Sequence, residues 1–196
     1  MAMYLSTDMT PDSIELVRKM ARDARDTIDH VYLHWTAGHY GQCYDDYHIC
    51  IDEDGSIYIM CDSFEDHLSH TWKRNSFSVG VSLCCCADAE ARNGYNAWLG
   101  YEPPTTKQIE VMAQVVAVLA DEFQLPLDCD DYVMTHCEAA IKDGYGPGSG
   151  DPETRWDLWY IPDVYGADGK LVPGGDLIRG KAAFYQRVWE HDETGD

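Results

Sequence analysis

Two short apolar runs, Val31-Tyr32-Leu33 and Tyr132-Val133-Met134, each lead into a histidine, His34 and His136. Runs of this length, rich in branched and aromatic residues, read as buried strands. The first stops at Thr36-Ala37-Gly38, and the second passes through Thr135-His136 into a helical turn at Glu138 to Ile141. A strand that ends on a histidine hands that side chain to a loop held by a rigid scaffold, a usual place for functional groups. Strand ends remote in sequence can converge at one edge of a sheet. A sheet that brings these two strands together is therefore the first requirement on the fold.

The intervening segments supply the rest of an α/β layout. Pro11 to Ile28 carries Ile14, Val17, Met20 and Ala24 at helical spacing behind a Thr10/Asp12 start signal, and DHVYLHW is the first strand. YHICI and SIYIM bracket an Asp-Gly turn and predict a hairpin, while SVGVSLCC is apolar enough for a central strand. Thr105 to Phe123 is a helix with a threonine cap, an apolar stripe of Ile109, Met112, Val116 and Leu119, and Pro126 as its stop. Val164 to Asp196 reads as a turn plus a helix over Asp176 to Glu190. GYGPGSGDP follows no strand and opens no helix, so it is a loop and not a phosphate cradle. At 196 residues the chain has length for one core. The expectation is a single α/β domain with a central mixed β-sheet flanked by α-helices.

A formal charge of −21 sets the chain against nucleic acid and against anionic membrane surfaces. There is no apolar run of about 20 residues to span a bilayer. MAMYLSTDMTPDS lacks the basic stretch and apolar core of a secretory signal, which places synthesis in the cytoplasm without a signal peptide. The eight cysteines include a consecutive triplet, Cys84 to Cys86, and no CxxC pair. They are expected to be reduced and structural, with Cys50 and Cys84 acting as small hydrophobes in strands. Cys137, next to His136, is expected to face away from it.

His34 and His136, with Asp157 of the RWD segment, can supply three ligands to one zinc ion. Three ligands leave a coordination position for water, which separates a hydrolytic site from a structural one. A lone histidine between apolar residues ordinarily packs in the core, and most aspartates are merely solvated, so the case rests on the three together. His39, His48 and His67 are read as non-ligands.

Taken in order, HWTAG, YHICIDEDGSIY, HTWKRNSFSVGVSL, THCEAA and RWDL resemble the zinc-dependent N-acetylmuramoyl-L-alanine amidases of type 2, the family of bacteriophage lysins and peptidoglycan recognition proteins. The resemblance covers roughly Asp29 to Pro162 and leaves residues 163–196 as a C-terminal extension with a helix. It implies His34, His136 and Asp157 as the zinc ligands. It also implies that Tyr47 stands beside the metal, in the acid/base or water-orienting role that other branches give to a glutamate where this chain has Ser82. Arg155 occupies a position that is usually lysine. A guanidinium holds its proton at neutral pH, so its expected task is oxyanion support, with proton transfer left to Tyr47 and the metal site. His70, Trp72 and Asn75 fall in the block resembling the substrate side, and Trp35 and Trp156 flank ligands.

The activity implied is zinc-dependent hydrolysis of the amide between N-acetylmuramic acid and L-alanine in peptidoglycan or a muropeptide. A phage or prophage endolysin, monomeric and acting on the wall after release, fits this best. Two alternatives stay open. One is a peptidoglycan-binding module without catalysis, against which the retained Asp157 counts; the other is an interbacterial toxin or wall-recycling amidase with the same chemistry.

Overall fold

A computed structural model describes residues 1–6, 9–92, 96–152 and 154–194. In chain order the elements are β1 (Ala2–Tyr4), α1 (Ile14–Asp23), β2 (His30–Trp35), β3 (Gln42–Tyr44), β4 (Ile49–Ile51), β5 (Ile57–Ile59), β6 (Ser78–Leu83), β7 (Glu90–Arg92) and β8 (Asn96–Trp98). There follow α2 (Thr106–Phe123), β9 (Val133–Thr135), α3 (His136–Lys142), β10 (Tyr160–Tyr165), β11 (Leu171–Pro173) and α4 (Gly174–Thr194). Five strands form the central sheet in the order β5-β4-β6-β2-β9. Only the β4–β5 hairpin is antiparallel there; β4, β6, β2 and β9 run parallel. This is the mixed sheet with helices that the sequence predicts, and β6 is its central strand.

Alternation gives the sheet two different faces. Val31, Leu33 and Trp35 of β2, Val79, Val81 and Leu83 of β6, and Ile49 and Ile51 of β4 join the main core with α1, α2 and α4. α2 packs against both other helices. Its cap ties it to the sheet: Thr105 and Gln108 form a capping box, and the Gln108 amide donates to the carbonyls of Ile51 (3.0 Å) and Cys84 (3.1 Å). The residues in between, Tyr32 and His34, Gly80 and Ser82, and Cys50, turn to the opposite face. In register, His34 stands beside Ser82 and Ser82 beside Cys50. One row across three strands thus carries an imidazole, a hydroxyl and a thiol.

Two predicted elements change on folding. The first helix begins at Ile14, because Ser13 caps it by accepting from Leu16 N (3.1 Å). Asp12 instead lies along β5, its backbone N–H donating to Ile57 O (2.7 Å) and its carboxylate accepting from Ile59 N (2.7 Å). At the other end, part of the segment read as a turn pairs as the β10–β11 hairpin, and α4 starts directly after it. No helix among the described residues is long and apolar enough to cross a membrane. All eight cysteines are free thiols.

Candidate metal centre and its cleft

Parallel pairing of β2 with β9 sets Leu33 opposite Thr135, so His34 and His136 emerge side by side. Thr135 then stops the strand and starts α3: its hydroxyl accepts from Glu138 N (3.1 Å), and Glu138 Oε2 accepts from Thr135 N (2.8 Å). The same carboxylate is held by Arg179 of α4, Nη2 to Oε1 at 2.8 Å and Nη1 to Oε2 at 2.9 Å, while Nη1 also donates to Val133 O (2.9 Å). The corner that presents His136 is therefore braced by α4. Asp157 arrives on a separate loop, whose carbonyl accepts from Cys137 N (3.4 Å). Beyond it Leu158 adopts a left-handed φ of 58° and packs fully buried against the start of α4, where Gly174 has no Cβ to obstruct it.

The three predicted ligands meet. Asp157 Oδ2 lies 3.4 Å from His34 Nδ1 and 3.6 Å from His136 Nδ1, and the two imidazole rings are 4.8 Å apart at 75°. His34 is fully buried, yet no group among the described residues hydrogen-bonds its Nδ1. Its Nε2 faces Thr71 Oγ1 at 3.2 Å, and His136 Nε2 faces Tyr145 Oη at 3.2 Å. Each ring is thus held by its outer nitrogen with the inner one aimed at the carboxylate, the pattern by which outer partners fix imidazole ligands. Burial first, and His136 beside it, push the His34 pKa down to about 4, so its imidazole is neutral at pH 7. Burial by itself would raise Asp157, but the His136 and His34 imidazoles outweigh it and hold the carboxyl well below the usual range. Neutral imidazole and ionised carboxylate are the forms that bind metal.

This donor set fits zinc. Ligands about 2.0–2.1 Å from a tetrahedral ion lie about 3.3 Å from one another, close to the separations found here. A buried imidazole nitrogen without a hydrogen bond, facing an anionic oxygen, is also a group that a cation would satisfy. Cys137 is buried and stays out of the cluster, as expected.

Asp157 and His136 line a cleft of about 1020 Å³ that also contains Tyr47, His70, Trp72, Asn75, Tyr145, Arg155 and both Trp35 and Trp156. The Tyr47 ring lies 5.0 Å from that of His34, and desolvation and the Asp157 charge raise its hydroxyl pKa, which keeps it protonated. Arg155 is exposed on the cleft wall. Trp72 is 56% exposed, with its ring edge-on to Tyr145 (5.3 Å) and under the Lys73 ammonium (4.0 Å). Trp35 is buried and packs edge-on against Trp156 at 5.0 Å. Asn75 Oδ1 accepts from Thr71 N (2.7 Å), and His70 Nδ1 lies 3.0 Å from Thr71 Oγ1, so both support the threonine behind His34. His39 pairs with Glu102 (2.6 Å), and His48 lies between Gly80 N and Asp66 O (2.9 Å each). Thr71 and Tyr145 are additions to the site. Tyr145 sits in a loop without periodicity, and Thr71 is flagged only by lying in the HTWKRN block.

A family model described as N-acetylmuramoyl-L-alanine amidase matches residues 24–152. The chain belongs to the N-acetylmuramoyl-L-alanine amidase family. The amidase matches no curated protein in sequence. Among solved structures it is similar to the endolysin amidase LysCS from Clostridium intestinale URNW, at 15% identity and TM-score 0.40 over 56% of this chain and 69% of that one. It is also similar to the Ph2119 endolysin from Thermus scotoductus MAT2119 bacteriophage Ph2119, at 12% identity and TM-score 0.42 over 56% and 71%. The matched stretch of the amidase contains His34 and His136, while Asp157 lies beyond it and joins them only in three dimensions.

Proposed function

We propose that this amidase is a zinc enzyme that cleaves the bond between N-acetylmuramic acid and L-alanine in peptidoglycan, acting as a monomeric phage or prophage endolysin. The supporting observation is the convergence of His34 Nδ1, His136 Nδ1 and Asp157 Oδ2 beside a cleft wide enough for a glycopeptide. Those three atoms would hold the ion. When bound, zinc supplies a Lewis acid for the amide carbonyl and a means of activating water near neutral pH. Thr71 and Tyr145 hold the two rings in the orientation the ligands need. Tyr47, protonated and beside His34, donates a hydrogen bond to the reacting groups and passes a proton to the departing amine, taking in exchange the one that the attacking water gives up. Arg155 keeps its charge throughout and stabilises the negative charge that develops on the carbonyl oxygen. His70, Trp72, Asn75, Trp35 and Trp156 line the path of the glycan and stem peptide.

The test is digestion of purified peptidoglycan by zinc-loaded and chelated protein, with mass spectrometry of the products. A new free L-alanine amino terminus, lost on chelation and in His34→Ala, His136→Ala and Asp157→Ala, is the expected result. Tyr47→Phe should retain zinc and lose about 10²-fold in turnover. New sugar reducing ends, or full activity in Asp157→Ala, would refute the assignment.

A further inference from the structure

A second cluster lies on the same face of the sheet, one strand beyond the first. Cys43 of β3, Cys50 of β4 and Cys84 just after β6 bring their three sulfur atoms within 4.8 Å of one another, Cys43 and Cys84 at 3.6 Å. All three are fully buried and none is in a disulfide. Around them pack Tyr58, Leu5 and two thioethers, Met9 and Met60. Among the described residues this and the His34 cluster are the two groupings of metal-ligating side chains with such geometry.

From this arrangement we infer that Cys43, Cys50 and Cys84 form a thiolate site for one soft, low-coordinate metal ion, Cu(I), separate from the site of hydrolysis. Sulfur ligands about 2.3 Å from a shared ion lie about 3.7–4.0 Å apart, so the cluster closes on an ion with small side-chain motion. A sulfur-only donor set with thioethers nearby selects soft ions, whereas zinc asks for a fourth ligand, and among the described residues no imidazole or carboxylate joins the three sulfurs. The N-terminal segment lies on this side: β1 is exposed and pairs with β3, and Leu5 and Met9 pack against the cluster. Tyr47 packs against this cluster on one side and faces His34 on the other, so the two sites share a side chain.

The experiment is anaerobic titration of the reduced full chain with Cu(I) against a chromophoric Cu(I) chelator. The proteins compared are wild type, Cys50→Ala, Cys129→Ala and His34→Ala. Wild type, Cys129→Ala and His34→Ala should each bind one Cu(I), and X-ray absorption should show a sulfur shell at about 2.3 Å. Cys50→Ala should bind at least about 100-fold more weakly, since even the loss of an outer partner costs 10–100-fold. Its melting temperature and its zinc affinity, read in parallel, separate loss of the ligand from loss of the fold. Equal uptake by a folded Cys50→Ala, or a nitrogen or oxygen shell, would overturn the inference.

Discussion

Gly174 offers a way to move the proposed third ligand without touching it. It opens α4, its N–H donates to Trp159 O (3.0 Å), and a Cβ on it would stand 2.9 Å from the Leu158 carbonyl carbon and nearer still to the oxygen. The oxygen is the nearer atom and Cβ contacts below 3 Å are essentially never seen, so the loop must retreat by at least about 1 Å to admit a methyl group. Leu158 is already held at φ 58° and fully buried, which leaves the adjoining Asp157 to absorb the shift. Overpacking of this kind costs about 1–3 kcal/mol, or about 2–12 °C of melting temperature for a chain of this length. A displacement near 1 Å at a reacting centre costs about 10²-fold in rate, and weakening of one ligand's support costs about 10–100-fold in metal affinity. Gly174→Ala should therefore lose zinc affinity and turnover together, measured by chelator competition and by release of soluble muropeptides. Gly180→Ala is the control, since nothing lies within 4 Å of its added Cβ; it should gain about 0.5–1 kcal/mol and bind zinc as wild type does. Wild-type melting and zinc affinity in Gly174→Ala would refute the argument that this glycine sets the Asp157 loop.

Thr71→Val keeps the shape of the side chain but removes the contact to His34 Nε2, and should weaken zinc binding about 10–100-fold in chelator competition while the fold melts nearly unchanged. Arg155→Ala should lower kcat by about 10²–10³-fold with zinc retained, measured by steady-state muropeptide release. Glu122 gives a pH prediction: Arg22 first, then Arg18 and Arg25, lower its carboxyl pKa below the unfolded value of 4.5. A depressed folded pKa means stabilisation that is full above that value and lost as pH falls through the folded one. Glu122→Gln should consequently flatten the acid side of a melting-temperature profile below about pH 5, and an unchanged acid slope would contradict it.

The strands of the central sheet were legible because their apolar runs are short, β-branched and bounded by turn residues, as with Val31 to Leu33 and the Asp-Gly hairpin. His34 and His136 could be picked out since each ends such a run, and the parallel register then sets them side by side. The start of α1 was not legible. Thr10, Asp12 and Ser13 are all capable caps, and which one serves depends on the β5 edge, to which Asp12 is hydrogen-bonded. Tyr145 carried no periodic signal, and its role arises from the α3 corner folding back on His136. Gly174 lies in a segment whose sequence reads only as a turn before a helix, and its meaning depends on a carbonyl sixteen residues upstream. The three-cysteine grouping was hidden for the same reason. Cys50 and Cys84 read as small hydrophobes and Cys43 as one more reduced cysteine until the sheet placed β3, β4 and the end of β6 together.

The brace from Arg179 to Glu138 has a practical consequence for protein engineers. Excising residues 24–152 as a cassette for attachment to a wall-targeting partner discards the loop of the proposed ligand Asp157 and the guanidinium that steadies the His136 turn. The portable unit extends through α4, and a fusion joint belongs beyond it.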